Sequence, residues 1–156
     1  MKLHILAIPH TVTSKKYLAC AFTQKVYKFI KMMKGSGHEM IHYGHEDSEV
    51  DCEHVSVTDD DVLGQAYGDY DWRGGFFKHN TADHAHTTFY KNTSIELRER
   101  SEPGEAILCF WGYGHRPAIK HLEKTNYIIE PGIGYNAGGT FAPYKVFESY
   151  AVMHSI

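Results

Sequence analysis

Apolar positions along this chain come in two rhythms, short unbroken runs and three- to four-residue spacings, and the two alternate. Residues 3–8 form an apolar run closed by Pro9, the pattern of a buried strand. A polar stretch follows, in which Thr11, Thr13 and Ser14 are candidate helix caps. Leu18, Phe22, Val26, Phe29, Ile30 and Met33 then recur at helical spacing, with Lys25, Lys28, Lys31 and Lys34 largely on the opposite face. Gly35 and Gly37 stop that helix, and residues 39–43 read as a second strand, completing a βαβ unit.

The second half continues the alternation less cleanly. Residues 54–58 alternate as a short third strand, and Asp59, Asp60 and Asp61 mark a helix start. The segment DYDWRGGFFKHN has the glycine and aromatic mixture of an ordered loop. Asp83 is placed to cap a helix reaching about Arg100, with Phe89, Ile95 and Leu97 as core contacts. Residues 106–111 are the most apolar run and predict a central parallel strand. A short helix over 117–123, a strand over 127–129, a loop EPGIGYNAGGTF and a closing helix over 141–154 finish the reading. Strands alternating with helices predict an α/β fold, a Rossmann-like, doubly wound, mostly parallel sheet flanked by helices, with residues 1–156 as one domain.

Composition narrows the class. The chain has 156 residues, 42% hydrophobic and 22% charged, the balance of an ordinary globular domain. A net charge of −3 sets up no global positive field, so nucleic acid is not expected as a partner. The lysines of the first helix read as a solvated face, with a phosphate-facing surface as the alternative. Cys20, Cys52 and Cys109 are far apart and form no CxxC pair, which points to a reducing compartment and a cytoplasmic chain. No run approaches the length of a transmembrane segment.

In a doubly wound sheet, ligands bind beyond the carboxyl ends of the strands, so the loops there carry the candidate chemistry. After the first strand stands His10-Thr11-Val12-Thr13 in place of GxGxxG, which removes the dinucleotide fingerprint; the P-loop pattern is missing too. Gly112-Tyr113-Gly114-His115 follows the best strand, where two glycines allow a sharp turn and His115 is expected at the sheet edge. Glu130-Pro131-Gly132-Ile133-Gly134-Tyr135 repeats that arrangement one strand on. Carboxylates and imidazoles suit sugar hydroxyls, and an aromatic face suits the C–H face of a sugar ring. Each loop has a plainer reading, a tight turn with a surface histidine or a carboxylate that caps locally. Twelve histidines raise the question of a metal. His38, His42 and His45 cross a strand onto different faces, and His84 and His86 have no sequence-adjacent partners, so no metal site is expected. Asp69-Tyr70-Asp71 matches a cation-binding DxD pattern and reads better as a solvated turn.

Taken together, ILAIPHTVTSK, GSGHEMIHYG, ILCFWGYGH and IIEPGIGY leading into FAPYKVFESYAVMH resemble the N-terminal, acceptor-side domain of a GT-B-fold glycosyltransferase of the group-one, family-four type. The resemblance covers nearly the whole chain and is weakest over 59–83. It implies a two-domain enzyme that moves a sugar from a nucleotide-sugar donor to a carbohydrate or other hydroxyl acceptor, without a metal or resident cofactor. On it, His115 and Glu130 are the catalytic candidates, and Glu130 stands where the family often has histidine. His10, Thr11, Gly112, Tyr113, Gly114, Gly132, Gly134 and Tyr135 are the substrate-binding candidates. The chain stops at Ser155-Ile156, where the family crosses into its donor domain. The expectation is therefore an acceptor half that needs a donor-domain partner chain or a homodimer. The alternatives are a non-catalytic sugar- or partner-binding module and a flavodoxin-like nucleotide-binding enzyme.

Overall fold

A computed structural model describes residues 1–73, 75 and 77–155; the loop expectation at Gly74 and Phe76 lies outside them. Six strands form one sheet in the order β3-β2-β1-β4-β5-β6: β1 (Lys2–Leu6), β2 (Glu39–His45), β3 (Glu53–Thr58), β4 (Ala106–Cys109), β5 (Tyr127–Ile133) and β6 (Tyr144–Phe147). Every neighbouring pair is parallel. The fold is the expected Rossmann-like doubly wound α/β sheet, and its strand order reverses between β1 and β4.

Alternation along the strands divides the core in two. Leu3 and Ile5 of β1 and Ala106 and Leu108 of β4 turn to one face, where Val26 and Ile30 of α1 (Ala21–Met33) cover them. Ile107 and Cys109 turn to the other, onto Phe89 and Leu97 of α3 (His84–Arg100) and Ala118 and Ile119 of α4 (Arg116–Ile119). A third cluster sits apart: Leu63 and Tyr67 of α2 (Asp60–Tyr67) hold Trp72, Phe77 and Ala85, and so pin down the long loop after α2. Asp59 caps α2 by accepting from Val62 N at 2.8 Å, and Asp83 caps α3 by accepting from His86 N at 2.9 Å.

Several boundaries move, each for a physical reason. α1 starts at Ala21, and its N-cap Cys20 makes no side-chain cap. Thr11 and Thr13 are instead buried, Thr11 Oγ1 lying 2.6 Å from Thr23 Oγ1, while the Gln24 amide donates to the Ser14 and Tyr17 carbonyls and folds residues 14–20 against the helix. Leu18 is left exposed, as is Ile95 on the outer face of α3. β5 runs on through the expected loop to Ile133, because Pro131 and Gly132 fall in a register break between Glu130 and Ile133, where neither strand needs their ladder bonds.

The largest correction is the closing helix. Residues 144–147 are strand β6, and only Tyr150–Ser155 (α5) is helical, with no residue buried. Tyr144, Phe147 and Tyr150 have helical spacing, but the open edge of β5 offers backbone hydrogen bonds that a short amphipathic segment lacking a surface to cover does not. Among the described residues no helix is long and apolar enough to cross a membrane.

Phe89 and Ile95 separate core from surface on α3. Phe89→Ala is expected to lower stability by about 3–5 kcal/mol, and Ile95→Ala to change it by less than about 0.5 kcal/mol, in urea unfolding followed by circular dichroism.

Candidate functional site

The β1/β4 reversal opens a crevice at the carboxyl edge of the sheet. From β1 the chain continues through Ala7, Ile8 and Pro9 to His10; from β4 it continues through Phe110 to Trp111. His10 meets His79, carried in on the loop after α2, at a ring separation of 3.7 Å, and His86 of the first turn of α3 at 5.3 Å. His79 and His86 are 5.2 Å apart. All three rings pack on Trp111, at 5.5–5.8 Å. Residues drawn from four separate segments between His10 and Trp111 thus form one aromatic and imidazole cluster.

Each imidazole keeps a buried nitrogen without a hydrogen-bond partner: His10 Nδ1, His79 Nδ1 and His86 Nε2. One ligand-type nitrogen from each lies within 4.8 Å of those of the other two. This corrects the sequence reading that His86 lacks partners and that no histidine group gathers. The other nitrogen of His86 is fixed. Its Nδ1 is 2.9 Å from Asp83 Oδ1, and the Tyr67 hydroxyl donates to Asp83 Oδ2. Burial opposes the charge on Asp83, but the hydrogen bonds from Tyr67 and His86 outweigh it and hold the carboxyl below its usual pKa.

Electrostatically, burial holds His10 and His86 neutral. Burial, with His79 and His86 adding to it, pushes His10 down to about 3. Burial also lowers His86, although Asp83 pulls the other way. At neutral pH these rings offer lone pairs and N–H groups, not positive charge. Beside them a cavity of about 160 Å³ opens between the N-terminal end of α1 and residues Gly75 and Phe77, walled by Tyr17, Cys20, Phe22 and Phe77 and floored by His10.

The two catalytic candidates lie elsewhere and are fully committed. His115 is completely buried, not presented at the sheet edge. Its Nε2–H donates to the Ala7 carbonyl at 2.9 Å and its Nδ1 accepts from Trp111 N at 3.3 Å. Burial lowers its pKa to about 4, against the pull of the Ala7 bond. Both nitrogens are used, so none remains to exchange a proton with a ligand. Glu130 is equally buried. Its Oε1 accepts from Phe141 N and Ala142 N, both at 2.6 Å, and its Oε2 accepts from the Tyr135 hydroxyl at 2.7 Å. It fastens the β5–β6 connection, the local capping role weighed in the sequence.

The glycines serve the same knot. Gly112 has φ +51, and a Cβ there would run into the Gly139 carbonyl and the Tyr135 ring. A Cβ at Gly114 would strike the Trp111 indole, and one at Gly134 the Glu148 carboxylate. Gly132 offers its carbonyl to Lys25. Tyr113 is half-exposed and packs on Phe141 and beneath Arg116. Of the sequence candidates, only His10 reaches the crevice cluster; Thr11 lies directly behind it. His79, His86, Asp83 and Trp111 were missed, because their only common signal is position at strand or helix ends that the topology brings together.

Two other places gather polar groups. His45, Asp47 and Asp60 also approach one another. There the Asp47 backbone N–H donates to His45 Nδ1, which leaves the proton on Nε2 facing Asp60, and Arg73 pairs with Asp60. Arg73 thus occupies one Asp60 oxygen, while His45 Nε2 and Asp60 Oδ1 face each other at 3.3 Å without forming a hydrogen bond, a contact of one imidazole with carboxylates and not a gathering of imidazoles. A larger groove of about 510 Å³ lies between α1 and residues 48–51, but its two carboxylates are exposed and already paired, Asp51 with Lys34 and Glu49 with Lys16. Asp69-Tyr70-Asp71 is an exposed turn.

Comparison with protein-family models, with curated proteins and with solved structures finds no match for this chain. The class defined by its own geometry is a Rossmann-like doubly wound domain with a histidine cluster at the topological switch point.

Buried neutral histidines make the fold acid-sensitive. His10, His42 and His115 have pKa values lowered to about 3, 3 and 4 when folded, against 6.5 as the ordinary value. Between pH 6.5 and about 4 the unfolded chain therefore binds more protons. Stability is expected to fall as pH drops through that window, with each such group contributing a slope of up to about 1.4 kcal/mol per pH unit. Urea midpoints measured from pH 7.5 to 4.5 check this; a flat profile contradicts it.

Proposed function

We propose that this chain is the acceptor-side half of a nucleotide-sugar glycosyltransferase, transferring a sugar to a carbohydrate or other hydroxyl acceptor bound in the β1/β4 crevice. The observation that carries the reading is the crevice itself: uncharged imidazoles at the switch point beside an aromatic-walled cavity. Trp111, Phe77, Tyr17 and Phe22 provide faces for the C–H side of a sugar ring, and His10 provides hydrogen bonding for its hydroxyls. The residues after β1, His10-Thr11-Val12-Thr13, have no glycines with which to cradle a pyrophosphate, which agrees with a donor held by another domain or chain. Tyr144, Val146 and Tyr150, exposed on β6 and α5, offer an apolar surface for such a partner, whether a donor domain or a second copy.

One observation favours a second reading, a sugar- or partner-binding module without catalysis. Both nitrogens of His115 and both carboxylate oxygens of Glu130 are hydrogen-bonded within the fold. In the transfer reading, His10 orients the acceptor hydroxyl, and proton removal belongs to the donor side.

The test is a binding and turnover screen of the purified chain against saccharides and nucleotide sugars, by NMR chemical shifts and released-nucleotide assay. The expected result is millimolar saccharide binding that perturbs His10, Phe77 and Trp111, weakened about five- to tenfold by Trp111→Ala, with no turnover by the chain alone. Absence of any saccharide shift overturns the crevice reading. Tight nucleotide binding with turnover overturns the half-enzyme reading.

A further inference from the structure

We propose that His10, His79 and His86 form a binding site for a zinc-class divalent transition metal, with His10 Nδ1, His79 Nδ1 and His86 Nε2 as its protein ligands. This goes beyond the acceptor-binding reading and does not depend on it. His10 Nδ1, His79 Nδ1 and His86 Nε2 are each buried and without a hydrogen-bond partner, and the three rings bring one ligand-type nitrogen apiece within 4.8 Å of one another. Leaving one such group unpaired is costly, and leaving three in one place is rare unless something is bound by all of them. The cluster has lone pairs to give and no fixed positive charge to repel a cation. Imidazole sets of this kind select zinc, copper, nickel or iron over magnesium or calcium.

The surroundings match what a histidine-ligated metal requires. His86 donates Nδ1–H to Asp83 at 2.9 Å, and that bond forces the lone pair onto Nε2, the unpartnered atom. Asp83 is in turn held by the Tyr67 hydroxyl and by the backbone N–H of His86. A carboxylate behind a ligand histidine orients the ring and raises its basicity. Trp111 forms an apolar wall against all three rings and keeps the site dry on that side. Tetrahedral bonds of about 2.0–2.1 Å place ligand nitrogens about 3.3 Å apart, so the rings must draw in by about an ångström. His79 can do this, because it is half-buried on the loop that precedes α3, while His10 is packed in the turn after β1 and His86 in the first turn of α3. Three protein ligands leave a fourth position for water or a hydroxyl, the arrangement of metal sites that act on a bound oxygen.

The experiment uses the tag-free chain, stripped with chelator and titrated with Co²⁺ by visible absorption and with Zn²⁺ by calorimetry, without sugar or nucleotide. The expected result is one equivalent bound with a Kd of about 1 μM or tighter, tetrahedral cobalt bands, and a raised Tm with Zn²⁺. Asp83→Asn is expected to weaken binding about 10–100-fold. His79→Ala, on a loop whose loss of one ring leaves the core intact, is expected to remove both the cobalt bands and the zinc-dependent rise in Tm. His79→Gln serves as the check if the alanine variant misfolds, and Asp47→Asn, at the other histidine group, is expected to change nothing. Binding weaker than about 100 μM, or binding that survives His79 substitution, or binding lost in Asp47→Asn, overturns the assignment. Because no saccharide is present, failure here leaves the acceptor reading standing, and failure of the saccharide screen leaves this one.

Discussion

The crevice depends on one buried hydrogen bond, from His115 Nε2 to the carbonyl of Ala7. It ties the turn after β4 to the end of β1 across the point where the strand order reverses, the place where two neighbouring strands would otherwise send their chains apart. Because Nε2 carries the proton, Nδ1 is left to accept from Trp111 N. Trp111 is thereby held over the crevice, and His10, three residues past Ala7, is held opposite it. His115 then stacks on Phe89, the centre of the α3 face of the core. A residue that sequence reasoning places at the reacting centre is instead the brace that positions others.

Polarity is distributed unevenly through this interior. Histidines His4, His42 and His115 are buried and satisfied, by Tyr43 and Glu105, by His54 and Thr13, and by Ala7 and Trp111. Glu130 is satisfied by three donors. His45 Nε2, Ser48 Oγ, Asp60 Oδ1, Thr93 Oγ1 and His121 Nε2 are also buried without a hydrogen-bond partner, but among the described residues only the crevice brings together three imidazoles that each retain one. Three such atoms gathered at the carboxyl edge of the sheet place unspent bonding capacity where a ligand arrives.

Most of the fold was legible in the sequence. The apolar runs at β1 and β4 and the three-four spacing of α1 fix the layers, and Asp59 and Asp83 announce their helices by chemistry that does not depend on tertiary context. Boundaries that depend on neighbours were not legible. Residues 144–147 carry helical spacing yet complete a sheet edge, and Pro131-Gly132 reads as a turn but sits in a strand irregularity. The site was less legible still. Glycine punctuation drew attention to Gly112, Gly114, Gly132 and Gly134, and three of them answer to close packing, against Gly139, Trp111 and Glu148, while Gly132 answers to its φ of +69. His79 and His86 gave no signal, because nothing local relates them to His10; the sheet order does.

Histidine side-chain ¹⁵N NMR across a pH titration tests the account most directly, because it reads each ring's tautomer and charge. The account predicts that His115 is the neutral Nε2–H tautomer at pH 7, that His86 carries its proton on Nδ1, and that His10 is still uncharged at pH 5. A His10 that titrates near 6.5, or a His115 protonated on Nδ1, would contradict both the brace and the neutral crevice it holds open.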